Sequence, residues 1–113
     1  MLRVVLTTVF PDEAEALAEA LIVGHHAACV NILPEIRSIY RWQGRIHRDL
    51  ERMLIIKVPT AQVDACMAAV AALHPYDVPE IIAVPVERVA EAYLAWAQTC
   101  VAEEPVAEET ASR

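Results

Sequence analysis

Two long segments that read as strands, joined by one tight turn, constrain this chain more than any other feature. The segments run from Ala27 to Trp42, with an interruption at Pro34, and from Arg45 to Val58, and Gln43-Gly44 lies between them. Their β-branched and aromatic residues favour strands, and a glycine in a two-residue turn supplies the positive φ that a tight hairpin requires. The pattern therefore predicts one long β-hairpin.

The predicted hairpin is longer than the domain that carries it. A strand of 14 residues spans roughly 46 Å at about 3.3 Å per residue, whereas a globule of this length has a diameter of roughly 34 Å. The protruding part would leave strand edges unpaired and would expose five large side chains, Ile36, Ile39, Tyr40, Trp42 and Ile46. We therefore expect a homo-oligomer, for which cyclic symmetry is the simplest closure.

The charges are distributed unevenly along the chain. The 113 residues include 9 Lys plus Arg and 16 Asp plus Glu, for a net charge of −7, which argues against a nucleic-acid partner. Between Arg37 and Lys57 there are six cations and two acids, or +4, which leaves three cations and 14 acids elsewhere, or −11. A basic hairpin on an acidic body favours self-association over nucleic-acid binding.

The segments that flank the hairpin predict a small α+β domain. In chain order they are a strand at Leu2–Val9, a helix from Asp12 to Gly24, a helix from the N-cap Thr60 to Pro75, a strand at Ile81–Val86 and a helix at Val89–Val101. The order is βαββαβ plus a helix, which is the ferredoxin-like order with both main helices on one face of an antiparallel sheet. We predict one domain over residues 1–101 and an acidic flexible tail over residues 102–113.

The expected compartment is the cytoplasm. The longest uncharged segment, Ala20–Pro34, has 15 residues, whereas a membrane span needs about 20 apolar residues. The apolar start carries Arg3 and is followed by acidic residues, which argues against a secretory signal. Three widely spaced cysteines suit a reducing compartment better than a disulfide framework. We therefore expect no membrane partner.

Common enzyme signatures are missing from the sequence. Ser38 and Ser112 are the only serines, and no G-x-S-x-G elbow is present. With Gly24 and Gly44 as the only glycines, neither a Walker loop nor a dinucleotide fingerprint can be built. The sequence therefore predicts a protein that is not an enzyme. A nucleophile pair of Cys29 and His74 stays open, because it depends on whether the fold brings the two side chains together.

Four sequence blocks point to a family. They are Ala27 to Asn31 (AACVN), Ser38 to Trp42 (SIYRW), His74 to Ile81 (HPYDVPEI) and Tyr93 to Trp96 (YLAW). In their order and spacing they resemble the CutA, or divalent-cation tolerance, family. The resemblance implies a ferredoxin-like homotrimer whose long hairpins exchange edge contacts, an architecture related to the PII signalling proteins. It also implies an association with tolerance to copper and other divalent ions.

The metal site that the resemblance implies is incomplete in this chain. Some members carry a cysteine at the end of the first strand and a second histidine before the H-P-Y block. This chain has Thr7, Thr8 and Leu73 at those places. The family's set of soft ligands is therefore only partly present.

The remaining metal candidates are His74, Glu80 and Cys29. Two prolines rigidify the segment between His74 and Glu80, and imidazole with carboxylate suits a divalent ion of the Cu or Zn type. Cys29 could add a soft thiolate. The alternatives are a histidine favoured by a helix C-terminus and a small buried hydrophobe in a strand. On the resemblance, we expect a weakly bound divalent metal ion.

Lys57 and four aromatic residues are the other candidates for ligand binding. Lys57 is the only lysine and could pair with Glu80, hold an anion, or extend to water from the end of its strand. The aromatic residues either pack in the core or line a cleft between subunits, and they are Tyr40, Trp42, Tyr93 and Trp96.

Three functions therefore stay open: a divalent-cation tolerance protein, a PII-like sensor that binds a small anion at the subunit cleft, and a rigid trimeric platform for another protein. For the site itself, we predict that four residues converge on one pocket near the subunit boundary, namely Cys29, Lys57, His74 and Glu80.

Overall fold

The computed structural model describes residues 1–102. Its strands are β1 (Leu2–Val9), β2 (Cys29–Trp42), β3 (Arg45–Pro59) and β4 (Ile82–Pro85), and its helices are α1 (Ala14–Val23), α2 (Val63–Leu73) and α3 (Glu91–Cys100). Within residues 1–102, each helix is too short or too polar to cross a membrane. The predicted acidic tail, apart from its first residue, lies outside the described residues.

The four strands form one sheet in the order β2-β3-β1-β4, and each neighbouring pair is antiparallel. The middle position of β1 and β3 follows from two crossovers, because α1 connects β1 to β2 and α2 connects β3 to β4. This is the split βαβ arrangement. The predicted α+β, ferredoxin-like fold is therefore confirmed.

The core lies between the sheet and helices α1 and α2. Val5 and Val9 of β1 are fully buried against Leu21 of α1 and Val70 of α2, together with Leu54 of β3. Burial of each such side chain stabilises the fold by about 1.5–3 kcal/mol. Both main helices therefore share one face of the sheet, as predicted.

Helix α3 covers part of the opposite face. Leu2 lies three residues from Val5, so the two side chains point to opposite sides of the strand. Leu2 and Ala28 pack there against Ala97 of α3. The sheet therefore has one face closed by α1 and α2 and a second face that α3 covers only near the start of β1.

The N-cap that the sequence predicts at Thr60 is wrong. Residues Thr60–Gln62 form a 3₁₀ turn, α2 begins at Val63, and no side chain caps it. The Thr60 hydroxyl instead accepts a hydrogen bond from the Arg3 guanidinium at 3.2 Å. The extra turn moves the helix start three residues along the chain, out of reach of the predicted cap. The end of α2 at Leu73, before Pro75, agrees with the prediction.

The hairpin of β2 and β3 is as long as the sequence predicts. Gln43 and Gly44 form its turn with φ of 50° and 74°, the two positive values of a type I′ turn. The pairing register shifts between Ile32 and Glu35, where Pro34 has no N–H to contribute to the ladder. The principal dimensions of the protein are 46 × 31 × 23 Å, so the hairpin extends beyond the packed helices.

Candidate functional site

The hairpin has two chemically different faces, because alternate residues of a strand point to opposite sides. The register pairs Ile36 with Glu51 and Arg37 with Leu50. We call one side the front face, with Ile36, Ser38, Tyr40, Trp42, Arg45, His47, Asp49 and Glu51, and the other side the back face, with Arg37, Ile39, Arg41, Ile46, Arg48 and Leu50. The front face is aromatic, with Asp49 and Glu51 toward the sheet and Arg45 and His47 toward the tip, and the back face is basic and aliphatic.

A cavity of about 580 Å³ lies between the front face and the segment that follows α2. We call it the front pocket. Aromatic and apolar walls enclose three carboxylates, and the lining includes Phe10, Tyr40, Trp42, Glu51, Met53, Tyr76, Asp77, Val78 and Glu80. Among the described residues, no lysine, arginine or histidine lines it. The front pocket is therefore suited to a positively charged occupant.

Glu51 and Tyr76 form the polar floor of the front pocket. The Tyr76 hydroxyl donates a hydrogen bond to Glu51 Oε2 at 2.7 Å, and Glu51 is only 6% exposed. Burial and this contact raise the pKa of Tyr76 well above its usual range. The rings of Phe10 and Tyr76 pack edge to face, with their centroids 4.7 Å apart. Tyr76 therefore stays protonated at neutral pH and holds the carboxylate in place.

His74 lies behind Tyr76 and uses both ring nitrogens within the chain. The backbone N–H of Tyr76 donates to Nδ1 at 3.2 Å, so Nδ1 is the acceptor and Nε2 carries the proton. Nε2 then donates to the Thr8 carbonyl at 2.9 Å, and the ring is 8% exposed. A metal ion could bind His74 only after one of these hydrogen bonds breaks. The observed role of His74 is to fix the segment that carries Tyr76.

Cys29 and Lys57 are brought together on the open face of the sheet. They are register partners of β2 and β3, with Sγ and Nζ 4.0 Å apart. The ammonium of Lys57 also donates to Asn31 Oδ1. Lys57 therefore has two polar neighbours from β2, and its role in ligand binding stays a prediction.

Within one chain the four predicted residues form two groups. Thr8, which accepts from His74, pairs with Met53, four residues before Lys57 on β3. Four residues correspond to about 13 Å along a strand. His74 and Glu80 therefore lie toward the front pocket, and Cys29 and Lys57 lie toward α3. A common pocket at a subunit boundary stays a prediction.

The predicted metal ligands do not form a metal site within one chain. No three side chains of His, Cys, Asp or Glu are grouped to hold a metal ion anywhere in residues 1–102. His74 has no free ring nitrogen, and Cys29 lies beside a cation. The metal role of His74, Cys29 and Glu80 therefore stays a prediction for an assembled protein.

The four aromatic candidates are also divided. Tyr40 and Trp42 line the front pocket, and the Tyr40 ring stacks on His47 with centroids 5.3 Å apart. Tyr93 and Trp96 lie on α3 with their ring centroids 5.3 Å apart. Tyr93 packs against the cluster of Leu2, Ala28 and Ala97. Only the first pair faces the cavity.

Sequence reasoning missed Glu51, the most buried charged group of the front pocket. Counting outward from the two-residue turn pairs position 51 with position 36, on the side of the hairpin that carries Tyr40 and Trp42. The signal was present in the alternation of the strands. The contribution of Phe10 and Tyr76 was not readable in this way, because both lie outside regular elements.

Comparison with known proteins gives one family. The sequence profile of the CutA1 divalent ion tolerance protein family matches residues 3–100. The divalent-cation tolerance protein CutA of Thermus thermophilus is 46% identical over 97 residues, which cover 85% of this chain and 94% of that protein. Protein CutA of Mus musculus is 43% identical over 88 residues, and there the chain spans about half of the relative, 50% of its length.

A solved structure shows the same fold. It is described as the PII-like protein CutA from Nostoc sp. PCC 7120 in apo form, with a TM-score of 0.83 and 29% sequence identity. The match covers 88% of this chain and 96% of that chain. The fold is therefore shared with a protein that its description relates to PII.

Proposed function

Because the chain belongs to the CutA1 divalent ion tolerance family, we propose that it serves divalent-cation tolerance as a cytoplasmic homotrimer that is not an enzyme. The family match over residues 3–100 includes all four sequence blocks, from Ala27 to Trp96. In this proposal the protein binds its ion, of the Cu or Zn type, weakly and as cargo.

The observation that carries the proposal is the set of large exposed side chains on the protruding hairpin. Three aliphatic side chains of the back face are at least half exposed in the single chain, namely Ile39 at 66%, Ile46 at 52% and Leu50 at 51%. Each of them lies opposite an arginine in the ladder, and Trp42 on the front face is 42% exposed. Large apolar side chains exposed together on one element mark an interaction surface. Other copies of the chain are the simplest cover, and a closed ring uses every copy equally.

Assembly also bears on metal binding. One chain does not group three metal-ligating side chains among residues 1–102, and in this proposal neighbouring subunits supply the remaining ligands of a Cu- or Zn-type ion. Glu80 is exposed at the rim of the front pocket, and the Cys29 thiol is half-buried. The thiol lies 4.0 Å from the Lys57 ammonium, whereas Glu80 makes none of the hydrogen bonds that engage His74. Glu80 is therefore the ligand to test first.

The first experiment measures mass and metal binding on the same sample. Light scattering during size exclusion should give about three times 12.5 kDa, and a stable monomer at micromolar concentration would contradict the trimer. Titration calorimetry with CuSO4 should then show weaker binding for Glu80→Gln than for the matched control Glu87→Gln. Equal binding by the parent and both variants would remove Glu80 from the site.

A PII-like sensor is the second candidate, and the surroundings of Lys57 favour it. The ammonium is held between Asn31 and Cys29, in a half-buried place that an anion could share. A thermal-shift screen with nucleotides and small carboxylates tests this reading, because a ligand of the native state raises apparent stability. Stabilisation that is lost in Lys57→Ala but kept in Glu80→Gln would support the sensor. A trimer that responds to neither metal ions nor anions would favour the platform.

A further inference from the structure

Two of the three cysteines lie on the same side of the sheet, in the layer between the sheet and α3. Cys29 shares a face with its register partner Lys57, and this face is opposite to the one that buries Ile56 in the core. Cys100 of α3 packs against the small cluster that contains Ala28, the residue before Cys29. Both thiols are free and half-buried. The two cysteines therefore share one interface.

The C-terminal end of α3 is fixed beside the loop that leads into β2. His25, four residues before Cys29, donates from Nδ1 to the Cys100 carbonyl at 3.2 Å. Burial raises the pKa of the Cys100 thiol, Thr99 lowers it, and the negative charge of Cys29 raises it further. One charge acts on another only over a short distance in salt solution. The electrostatic contact between the two thiols therefore agrees with their placement.

Lys57 gives this pair of thiols a cation. Its Nζ lies 4.0 Å from Cys29 Sγ, and the Asn31 side chain holds the same ammonium from β2. The thiolate is the nucleophile that attacks a disulfide. Lys57 is therefore placed as the counter-ion of a Cys29 thiolate, which makes Cys29 the attacking thiol and Cys100 the second one.

We propose that Cys29 and Cys100 form a dithiol that low-molecular-weight disulfides oxidise to an intrachain disulfide, which fastens α3 to the sheet. The Cys29 thiolate attacks one sulfur of oxidised glutathione and releases one glutathione thiolate. The Cys100 thiolate then attacks the Cys29 sulfur and displaces the second glutathione thiolate. The protein gives up two electrons and two protons, and the two released thiolates take up the protons.

The attachment of α3 is the property that this bond would change. Ala97 is the one buried residue of α3, so few packing contacts hold the helix in the reduced protein. The bond would join positions about 70 residues apart, and a disulfide that closes a loop of this size stabilises strongly. In a reducing compartment such bonds are transient and serve redox sensing. The proposal therefore goes beyond divalent-cation tolerance and does not depend on it.

Oxidation of the parent chain tests the pairing. Trypsin places each cysteine in a peptide of its own, namely residues 4–37, 58–88 and 89–113. After treatment with oxidised glutathione and EDTA without air, mass spectrometry should show the first and third peptides linked within one chain. Cys66 should stay reduced, because it is fully buried. Glutathione bound separately to Cys29 and Cys100, or a link between two chains, would overturn the proposal.

Variants test the order of the two steps. Cys100→Ser should stop at a mixed disulfide between Cys29 and glutathione, whereas the matched control Cys66→Ser should form the link as the parent does. Lys57→Ala should slow the link by about threefold or more, and Lys57→Arg should restore most of the rate. An unchanged rate in Lys57→Ala would remove the lysine from the reaction.

Thermal unfolding tests the consequence for α3. At one fixed protein concentration, the oxidised parent should melt roughly 10 °C or more above the reduced parent. The amides of α3 should also exchange hydrogen more slowly, and dithiothreitol should reverse both changes. Equal melting temperatures and exchange rates would refute the fastening of α3. A linked protein that is monomeric and binds no CuSO4 would instead refute the proposed function and leave the thiol pair intact.

Discussion

Replacement of His74 by alanine should destabilise the fold through two backbone groups. The change removes the acceptor of the Tyr76 N–H and the donor to the Thr8 carbonyl, and both bonds lie at a ring that is 8% exposed. An unsatisfied buried polar group costs about 1–3 kcal/mol. The edge contact with Tyr76, at 4.5 Å between centroids, contributes about 0.5–1.5 kcal/mol more.

The expected loss for His74→Ala is about 2–4 kcal/mol, because water that enters the space left by the ring will satisfy part of the freed groups. Urea unfolding at one fixed protein concentration measures it. With a slope of about 2 kcal/mol per molar urea, the midpoint should fall by roughly 1–2 M. His47→Ala is the matched control, since its ring only stacks on Tyr40 in the hairpin, and it should lose under about 1 kcal/mol.

A different result would refute this reasoning. If His74→Ala unfolds at the same urea concentration as the parent but binds CuSO4 more weakly, then the ring is a metal ligand. In that case the two hydrogen bonds do not hold the Tyr76 segment. If both stability and binding are unchanged, His74 has neither role.

Three further results are expected. Trp42→Arg should weaken assembly, because an aromatic ring of the front pocket is exchanged for a cation. Light scattering across a dilution series measures the assembly, and an unchanged trimer would place Trp42 outside the interface. Burial raises the pKa of Cys66 to about 11, so Ellman's reagent at pH 8 should label Cys29 and Cys100 well before Cys66, and equal labelling rates would contradict its burial. Burial and Glu51 raise the pKa of Tyr76 above the ordinary tyrosine value of 10.0. The neutral Tyr76 therefore stabilises the fold fully below about pH 10, and its contribution to the free energy of unfolding is lost as the pH rises further. In urea unfolding, Tyr76→Phe should lose less stability than the parent at alkaline pH, and an identical decline in both proteins would refute the shift.

The strands were readable because their signals are local. A two-residue turn with glycine fixes the pairing of β2 and β3, and long β-branched runs fix the length of the hairpin. The helix starts were less readable, since a 3₁₀ turn can precede a helix and displace its cap. At Thr60 the hydroxyl interacts with Arg3, 57 positions away in sequence. Local patterns carry no information about such a partner.

The front pocket was only half readable for the same reason. Tyr40, Trp42 and Glu51 share a face by strand alternation, which is a local rule. The other wall depends on the path of the chain after α2, which His74 fixes through the Thr8 carbonyl of another strand. The four-residue convergence was inferred from the resemblance and from the chemistry of the four side chains. Within one chain Lys57 and its register partner Cys29 lie four residues along β3 from Met53. Met53 lines the front pocket together with Glu80, so the two pairs are apart.

The irregularity at Pro34 determines which side of the hairpin becomes the front. Before it, Ile32 pairs with Leu54, whose side chain enters the core beneath α1 and α2. After it the register has moved by one residue, since Glu35 pairs with Arg52. A shift of one residue exchanges the two faces of a strand.

Without that shift, Tyr40 and Trp42 would lie on the side of the helices, and the arginines of β2 would face the pocket of their own chain. With it, the aromatic rings join Glu51 on the open side, and Arg37 is turned away from the carboxylate that it could otherwise neutralise. One extra residue in an edge strand thus separates the two charges within a subunit.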